Sequence, residues 1–325
     1  MPKGMPPGFG GFPAVLLIGW VALGGAGVLY ARMRGIPNWA ALPVLAAFLL
    51  AYPFYLVPAF PSLRERLAGS TLPGYLVASA VLPYLACCMG AVEFQWTGLA
   101  RLVAVALAFA LWYRIFPAMA VFDIAFLALI PSVLLGKYFN TIYVPLYPPL
   151  KDVIVLGHIA LIEVVVMVLL LERRVPEAGY GFVPNRKEWR IGALHFLYFV
   201  PIGLPLALAL KATHLVPPAP FWKIAGTFFG FFWVGALSEE FFFRGVLQQW
   251  IEEWTLSRTA ALAITSALFG LVHIGFGGMF PNWRWVLVGA VLGWFCGRAR
   301  NQAGSIRAGM VTHTLVVTAW RAFFA

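Results

Sequence analysis

The chain has 325 residues, of which 62% are hydrophobic and 11% are charged, and its formal net charge is +11. Its mean hydropathy of +0.86 is too high for a soluble protein, because ordinary soluble domains carry about 25% charged residues. The apolar residues come in runs of about 20, the length of helix that crosses a bilayer. The sequence lacks the alternating segments of about ten residues that are typical of a membrane β-barrel. The composition therefore predicts an all-α, multi-pass transmembrane helical bundle.

The apolar runs predict about ten to eleven helices. In chain order they cover about 12–31, 39–60, 71–92, 98–113, 116–136, 151–171, 190–210, 221–251, 257–274, 283–297 and 306–325. Arg114, Pro117 and Asp123 interrupt the fourth and fifth runs, so this region leaves the helix number open. Within the tenth run, glycines recur at every fourth position, which indicates close packing against a neighbouring helix.

The longest polar stretch, "ERRVPEAGYGFVPNRKEWR" at 172–190, predicts a boundary between two parts of the chain. Residues 1–171 form an N-terminal transmembrane region whose role the sequence does not indicate. Residues 172–325 form a C-terminal domain that holds unusual intramembrane charges.

Basic residues concentrate in the segments 172–190, 252–258 and 298–307. If successive helices cross the membrane in alternating directions, all three segments lie on the same side of the membrane. This distribution orients membrane proteins and predicts a cytoplasmic location for that side. The positive charge therefore indicates a lipid bilayer as partner, and no nucleic acid.

The stretch "LSEEFFFRGVL" at 237–247 places Glu239, Glu240 and Arg244 inside an apolar run. Each such charge costs roughly 2.5–3.5 kcal/mol on membrane-insertion scales. Glu240 and Arg244 are four positions apart and can pair on one helix face. Glu239 lies about 100° around the helix without a local partner. The three residues are therefore either a structural ion cluster or a site where Glu239 takes a proton from water.

Two histidines lie in later apolar runs of the same domain. His273 follows Phe269 by four residues in "FGLVH", and His313 lies in "MVTHTLVV". At about 1.5 Å of rise per helical residue, the depths of Glu239, His273 and His313 in the membrane overlap. We therefore expect the three side chains to line one water-filled cavity. A carboxylate and two imidazoles around a water can activate the water and stabilise an oxyanion, as amide hydrolysis requires.

In their order along the chain, "EEFFFR", "FGLVH" and "GSIRAGMVTH" resemble the motifs of the CPBP intramembrane proteases, over about residues 175–325. This family includes CAAX prenyl-protein endopeptidases and bacterial relatives linked to bacteriocin processing, immunity and C-terminal tail sorting. Its motifs are EExxxR, FxxxH, and a histidine followed four residues later by asparagine or a similar polar group. His313 matches the third motif, but Val317 stands where the polar group is expected.

The resemblance implies a CPBP-type catalytic core in which Glu239 is the general base, His273 positions the water and His313 stabilises the oxyanion. The supporting residues that it implies are Glu240, Arg244 and Phe269. The implied reaction is cleavage of a membrane-associated protein or lipidated peptide near its C-terminus, without a metal, in a bacterial cytoplasmic membrane. Valine at position 317 implies that another helix completes the oxyanion site, that turnover is reduced, or that the protein is inactive.

Two alternatives stay open at this point. The first is a zinc-dependent protease with Glu239, His273 and His313 as metal ligands. The second is a non-catalytic membrane protein of the binding or immunity type, because buried charges also occur along binding pathways. The three cysteines lie in apolar runs, and their spacing indicates neither a disulfide framework nor a zinc knuckle.

Overall fold

The computed structural model describes residues 11–176 and 179–325. In these ranges the chain is helical, with isolated β-bridges in place of strands, so the predicted all-α class is confirmed. The chain divides after Val175 into two compact units. The predicted boundary at position 172 lies close by, while the protease assignment of the second part stays a prediction.

The first unit contains six main helices. They are α1 (Gly11–Met33), α2 (Asn38–Leu56), α3 (Leu72–Cys87), α4 (Trp96–Ala110), α5 (Ala120–Leu135) and α6 (Val155–Leu171). One of its ion pairs joins Asp123 to Arg173, with both guanidinium contacts at 2.8 Å. Asp123, which interrupts an apolar run, is therefore satisfied inside this unit.

The second unit contains five main helices. They are α7 (Arg186–Ala209), α8 (Phe221–Thr255), α9 (Arg258–Leu271), α10 (Trp283–Ala303) and α11 (Ile306–Phe323). All five correspond to apolar runs of the sequence.

The helices of the described ranges include six that are long and apolar enough to cross a membrane. These are α1, α7 and α8, together with Asn38–Ala59, Gly69–Cys87 and Pro148–Leu171. Helices α4, α5 and α9 are apolar but shorter. The protein is therefore an integral membrane protein, and its placement in the bacterial cytoplasmic membrane stays a prediction.

Helix α8 is irregular in its middle. Two π-helical segments, Phe231–Ala236 and Phe241–Leu247, flank a single α-helical turn at Leu237–Glu240. Wide turns of this kind are rare and occur often at functional sites. Because a π-helical turn contains more residues than an α-helical turn, the two segments rotate the side chains that follow them around the helix axis. The regular spacing of apolar residues in the sequence does not predict this rotation.

Glycines on α10 bring its backbone close to α9, as the sequence predicted. A Cβ added at Gly293 would lie 3.1 Å from the Cα of Ser266, and one at Gly289 would lie 3.2 Å from the Cα of Gly270. This close approach holds the C-terminal end of α9, and therefore His273, against α10.

The start of α11 is tied to the start of α7. Asn185 and Glu188 form a reciprocal capping box at the N-terminus of α7. The buried Glu188 carboxylate also accepts hydrogen bonds from the Arg307 side chain, at 2.8 and 3.1 Å. Farther along, the Thr312 hydroxyl donates to the Gly192 carbonyl at 2.9 Å. These contacts fix the position of the neighbouring His313.

Candidate active site

Glu240 and Arg244 form a fully buried ion pair, with Nη1 of Arg244 3.1 Å from Oε1 of Glu240. The guanidinium also donates to the Gly293 carbonyl at 3.0 Å and lies 4.2 Å from the ring centroid of Phe269. The predicted pairing of these two charges is therefore present. Because its contacts reach three helices, the pair fixes α8 against α9 and α10.

His313 is held by a second contact to the same carboxylate. Its Nδ1 lies 2.9 Å from Oε1 of Glu240, so Nδ1–H donates and the carboxylate accepts. Two phenylalanine rings pack against the imidazole in T-shaped arrangements, with centroid distances of 5.0 Å to Phe231 and 5.3 Å to Phe269. The orientation of the imidazole is thus fixed, and its Nε2 is directed towards Glu239.

Glu239 has surroundings unlike those of its neighbour Glu240. Its side chain is 38% exposed, and its Oε2 lies 3.9 Å from Nε2 of His313. This distance exceeds a direct hydrogen bond. Glu239 is therefore the accessible carboxylate of the two, and Glu240 the structural one.

His273 lies outside the helix in which the sequence placed it. Helix α9 ends at Leu271, and His273 occupies the turn that follows. Its Nδ1 lies 2.8 Å from the Phe269 carbonyl oxygen, which can only accept, so the proton is on Nδ1. Nε2 of the neutral ring therefore carries a lone pair that can accept a hydrogen bond.

Glu239, His273 and His313 line one cavity of about 420 Å³ in the second unit. Most of the remaining wall is apolar or aromatic. It includes Phe199, Phe231, Trp285, Leu292, Val317 and Trp320. The structure thus brings together the three side chains that the sequence selected, and their catalytic roles stay predictions.

Val317 lines the cavity with an apolar side chain, so it offers no hydrogen bond there. Trp320 also lines the cavity, but its indole N–H donates to the Thr213 hydroxyl at 3.1 Å. The indole is therefore occupied and does not replace the polar group that the family motif has at position 317.

The described residues contain one group with spacing suitable for a metal ion: Glu240, Cys296 and His313, whose ligand atoms lie within 4.8 Å of one another. It differs from Glu239, His273 and His313, the zinc ligands of the alternative that the sequence left open. A cation there would compete with Arg244 for the Glu240 carboxylate. The sequence analysis did not connect Cys296 with the site, although it follows Gly293 by three positions and so lies near the same face of α10.

A model of the family described as type II CAAX prenyl endopeptidase Rce1-like matches residues 220–319. The C-terminal unit carries an Rce1-like domain. The match is consistent with the CPBP resemblance and includes all three of its motifs. No curated protein and no solved structure matches the chain.

The Rce1-like domain runs from the start of α8 into α11 and so contains every residue of the proposed catalytic cluster. Helix α7 precedes it, yet α7 supplies cavity wall through Phe199 and anchors α11 through Gly192. The domain therefore uses a helix outside the matched range to complete its cavity.

Proposed function

We propose that this protein is an intramembrane endopeptidase that cleaves a membrane-associated protein near its C-terminus, using a water activated by Glu239. The observation that carries the proposal is the cavity, in which one accessible carboxylate and two imidazoles face a largely apolar space. The match of residues 220–319 to the Rce1-like family model supports the reaction class. The family alone does not assign the substrate or the catalytic roles.

In the first step, Glu239 takes a proton from a water as the water oxygen attacks the scissile carbonyl carbon. The 3.9 Å between Glu239 and His313 suits a single water in contact with both side chains. Nε2 of His273 accepts the second O–H of that water, which aims the attacking lone pair at the carbonyl. Holding the water in this way replaces a bimolecular encounter with an oriented one.

His313 stabilises the oxyanion that forms. Because Nδ1–H donates to Glu240, the ring can donate from Nε2 only when both nitrogens are protonated. Once Glu239 has taken the proton, the Glu240 carboxylate and the oxyanion itself compensate the positive charge of that form. When the carbon–nitrogen bond breaks, Glu239 gives its proton to the departing amine and is ready for another cycle.

Replacing Glu239 by glutamine tests the proposal in cells, because the amide keeps the shape of the side chain but cannot act as a base. We expect the uncleaved substrate to accumulate, and its terminus can be compared by mass spectrometry with that of the mature protein. Glu253→Gln is the matched control, since it makes the same change at an exposed position near the end of α8. If cells with Glu239→Gln keep the wild-type phenotype and accumulate no uncleaved substrate, Glu239 is not the base, which is the result expected of a protein that acts by binding.

A zinc-dependent protease is the second candidate, favoured by the close approach of Glu240, Cys296 and His313. In that mechanism a metal would polarise the carbonyl or lower the pKa of a bound water. Metal analysis of the purified protein, with cleavage measured before and after chelation, separates the two candidates. Under our proposal the cleavage rate survives chelation.

A further inference from the structure

Helix α7 carries a row of cations on its outer face. Arg186, Lys187 and Arg190 occupy its first two turns, and all three side chains are exposed. At about 100° of rotation per residue, Arg190 lies within about 60° of each of the other two, so the three form one stripe. Glu188, the only carboxylate of the helix, lies on the opposite face and is buried. The helix thus turns its negative charge inwards and its cations outwards.

The three cations have no acidic partner within residues 179–325. The ion pairs of this range join Glu188 to Arg307, and Glu252 to Arg258 and Arg300. The two adjacent glutamates of α8 belong to the cavity and to the buried ion pair beside it. The outer stripe of α7 therefore has an uncompensated positive charge and favours an anionic ligand.

Arg298 of α10 adds a fourth cation at the edge of this stripe. Its side chain is exposed, and its charge acts on His195 of α7. The ring of Tyr198, which is also exposed, packs against the His195 ring with a centroid distance of 5.7 Å. Arg298 therefore lies where α10 meets the outer face of α7.

The cations of the two helices lie at a similar depth. Arg190 follows the first residue of α7 by four positions, a rise of about 6 Å, and Arg298 precedes the last residue of α10 by five, a rise of about 7.5 Å. Both helix ends belong to basic segments of the sequence. Long side chains this close to a helix end extend to the membrane interface, where lipid phosphates lie.

Beyond the cations, the same stripe of α7 is apolar and still exposed. Leu197, Pro201 and Leu208 lie on the face of Arg190 farther along the helix. An exposed apolar face on a helix long enough to cross a membrane contacts lipid acyl chains. The stripe thus matches a phospholipid with a negatively charged headgroup at one end and acyl chains along the rest. A soluble anion or an acidic peptide would use only the cations.

We propose that the outer face of α7, with Arg298 beside it, is a binding site for an anionic phospholipid. Arg190 and Arg298 bind the phosphate, because a guanidinium can hold phosphate oxygens through two parallel hydrogen bonds. Arg186 and Lys187 add attraction to the negatively charged headgroup. The site lies outside the catalytic cavity and goes beyond the proposed hydrolysis.

The inner face of the same turns of α7 holds the start of α11. Glu188 accepts from Arg307 at 2.8 Å, and the Gly192 carbonyl accepts from Thr312 at 2.9 Å. A lipid on the outer face binds only when these turns are folded. Bound lipid therefore stabilises the folded protein in proportion to its occupancy.

Binding of a fluorescent phosphatidylglycerol to the full-length protein in an uncharged detergent tests the site. We expect it to bind at least about tenfold more tightly than phosphatidylcholine with the same acyl chains. Arg190→Gln should weaken phosphatidylglycerol binding about fivefold, the contribution of one cation near an anionic headgroup, and leave phosphatidylcholine binding unchanged. Arg190→Lys should keep most of the affinity, because the charge remains.

Lys223→Gln is the matched control, because it also removes an exposed cation, at the start of α8. It should leave the preference for phosphatidylglycerol unchanged. Equal binding of the two lipids by the wild type, or the same effect of Arg190→Gln and Lys223→Gln, would overturn the site. Glycerol phosphate is the headgroup without acyl chains. If it displaces the probe as well as unlabelled phosphatidylglycerol does, the ligand is a soluble anion and the lipid site is wrong.

Thermal unfolding gives a second readout. Raising the fraction of phosphatidylglycerol in the detergent should raise the Tm of the wild type, and the Tm of Arg190→Gln by less. An equal rise in both proteins would contradict the site. Neither measurement involves cleavage, so the lipid site can fail while the proposed endopeptidase function stands, and the reverse also holds.

Discussion

At the scale of single residues, adjacent Glu239 and Glu240 acquire different chemistry from their surroundings. Glu240 is fully buried and accepts from both Arg244 and His313. Glu239 faces the cavity and is partly exposed. The pair of carboxylates and the i,i+4 ion pair were readable from the sequence. The spacing also left Glu239 without a local partner, and the family resemblance implied the catalytic role for it. Which glutamate is buried was not predicted, because side-chain burial depends on helices far away in the chain.

This contrast predicts different effects of the same substitution on stability. Glu240→Gln leaves the buried Arg244 without its counterion, so we expect the free energy of unfolding to fall by about 3–5 kcal/mol. Glu239→Gln breaks no ion pair with Arg244 and should change it by no more than about 0.5 kcal/mol. Thermal unfolding in detergent measures both variants. Equal loss of stability in the two would contradict the assignment of separate roles.

Position 317 provides a test of the oxyanion site. The cavity has valine where the family motif has a polar group, and the indole of Trp320 is engaged with Thr213. Removal of one oxyanion donor costs about 100-fold or more in other enzymes. We therefore expect Val317→Asn to raise kcat by at least about tenfold.

Val317→Leu is the control for this gain, since it changes the volume without adding a donor. The measurement is kcat on a cleaved peptide, with KM determined in parallel. If asparagine and leucine have the same effect on kcat, His313 does not need a second donor at this position.

At the scale of helices, the apolar runs predicted all eleven main elements of the described chain, but they did not predict two local departures. The π-helical segments on either side of Leu237–Glu240 leave no mark on the hydrophobic pattern. His273 continues the i,i+4 pattern from Phe269, yet the helix ends at Leu271. Both departures depend on packing between helices, which one sequence does not encode locally.

The contact between α9 and α10 predicts that Gly293 does not tolerate a side chain. A Cβ at this position would lie 3.1 Å from the Cα of Ser266, and the backbone there also accepts from Arg244. We expect Gly293→Ala to lower the free energy of unfolding by about 1–3 kcal/mol.

Gly74→Ala is the matched control because it adds the same methyl group inside α3, where nothing lies within 4 Å. It should be neutral or slightly stabilising, since alanine favours a helix more than glycine. Thermal unfolding in the same detergent measures the stability of both variants. A Gly293→Ala protein as stable as the wild type would show that α9 and α10 can move apart.

At the scale of the whole molecule, the proposed catalytic cluster lies in one of two compact units. The family match begins after the end of the first unit, which contains its own buried carboxylate, Asp123, in an ion pair with Arg173. The sequence indicated the division through its polar stretch at 172–190. It gave no role for the first unit, because that part of the chain lacks a recognisable motif.

The central claim is that Glu239 activates a water that becomes part of the product. The direct measurement is mass spectrometry of the products from a peptide incubated with the purified full-length protein in heavy-oxygen water. For the wild type we predict one heavy oxygen in the new C-terminal carboxylate, and for Glu239→Gln no product. Product formed by Glu239→Gln at the wild-type rate, with the same label, would contradict the assignment of Glu239 as the base.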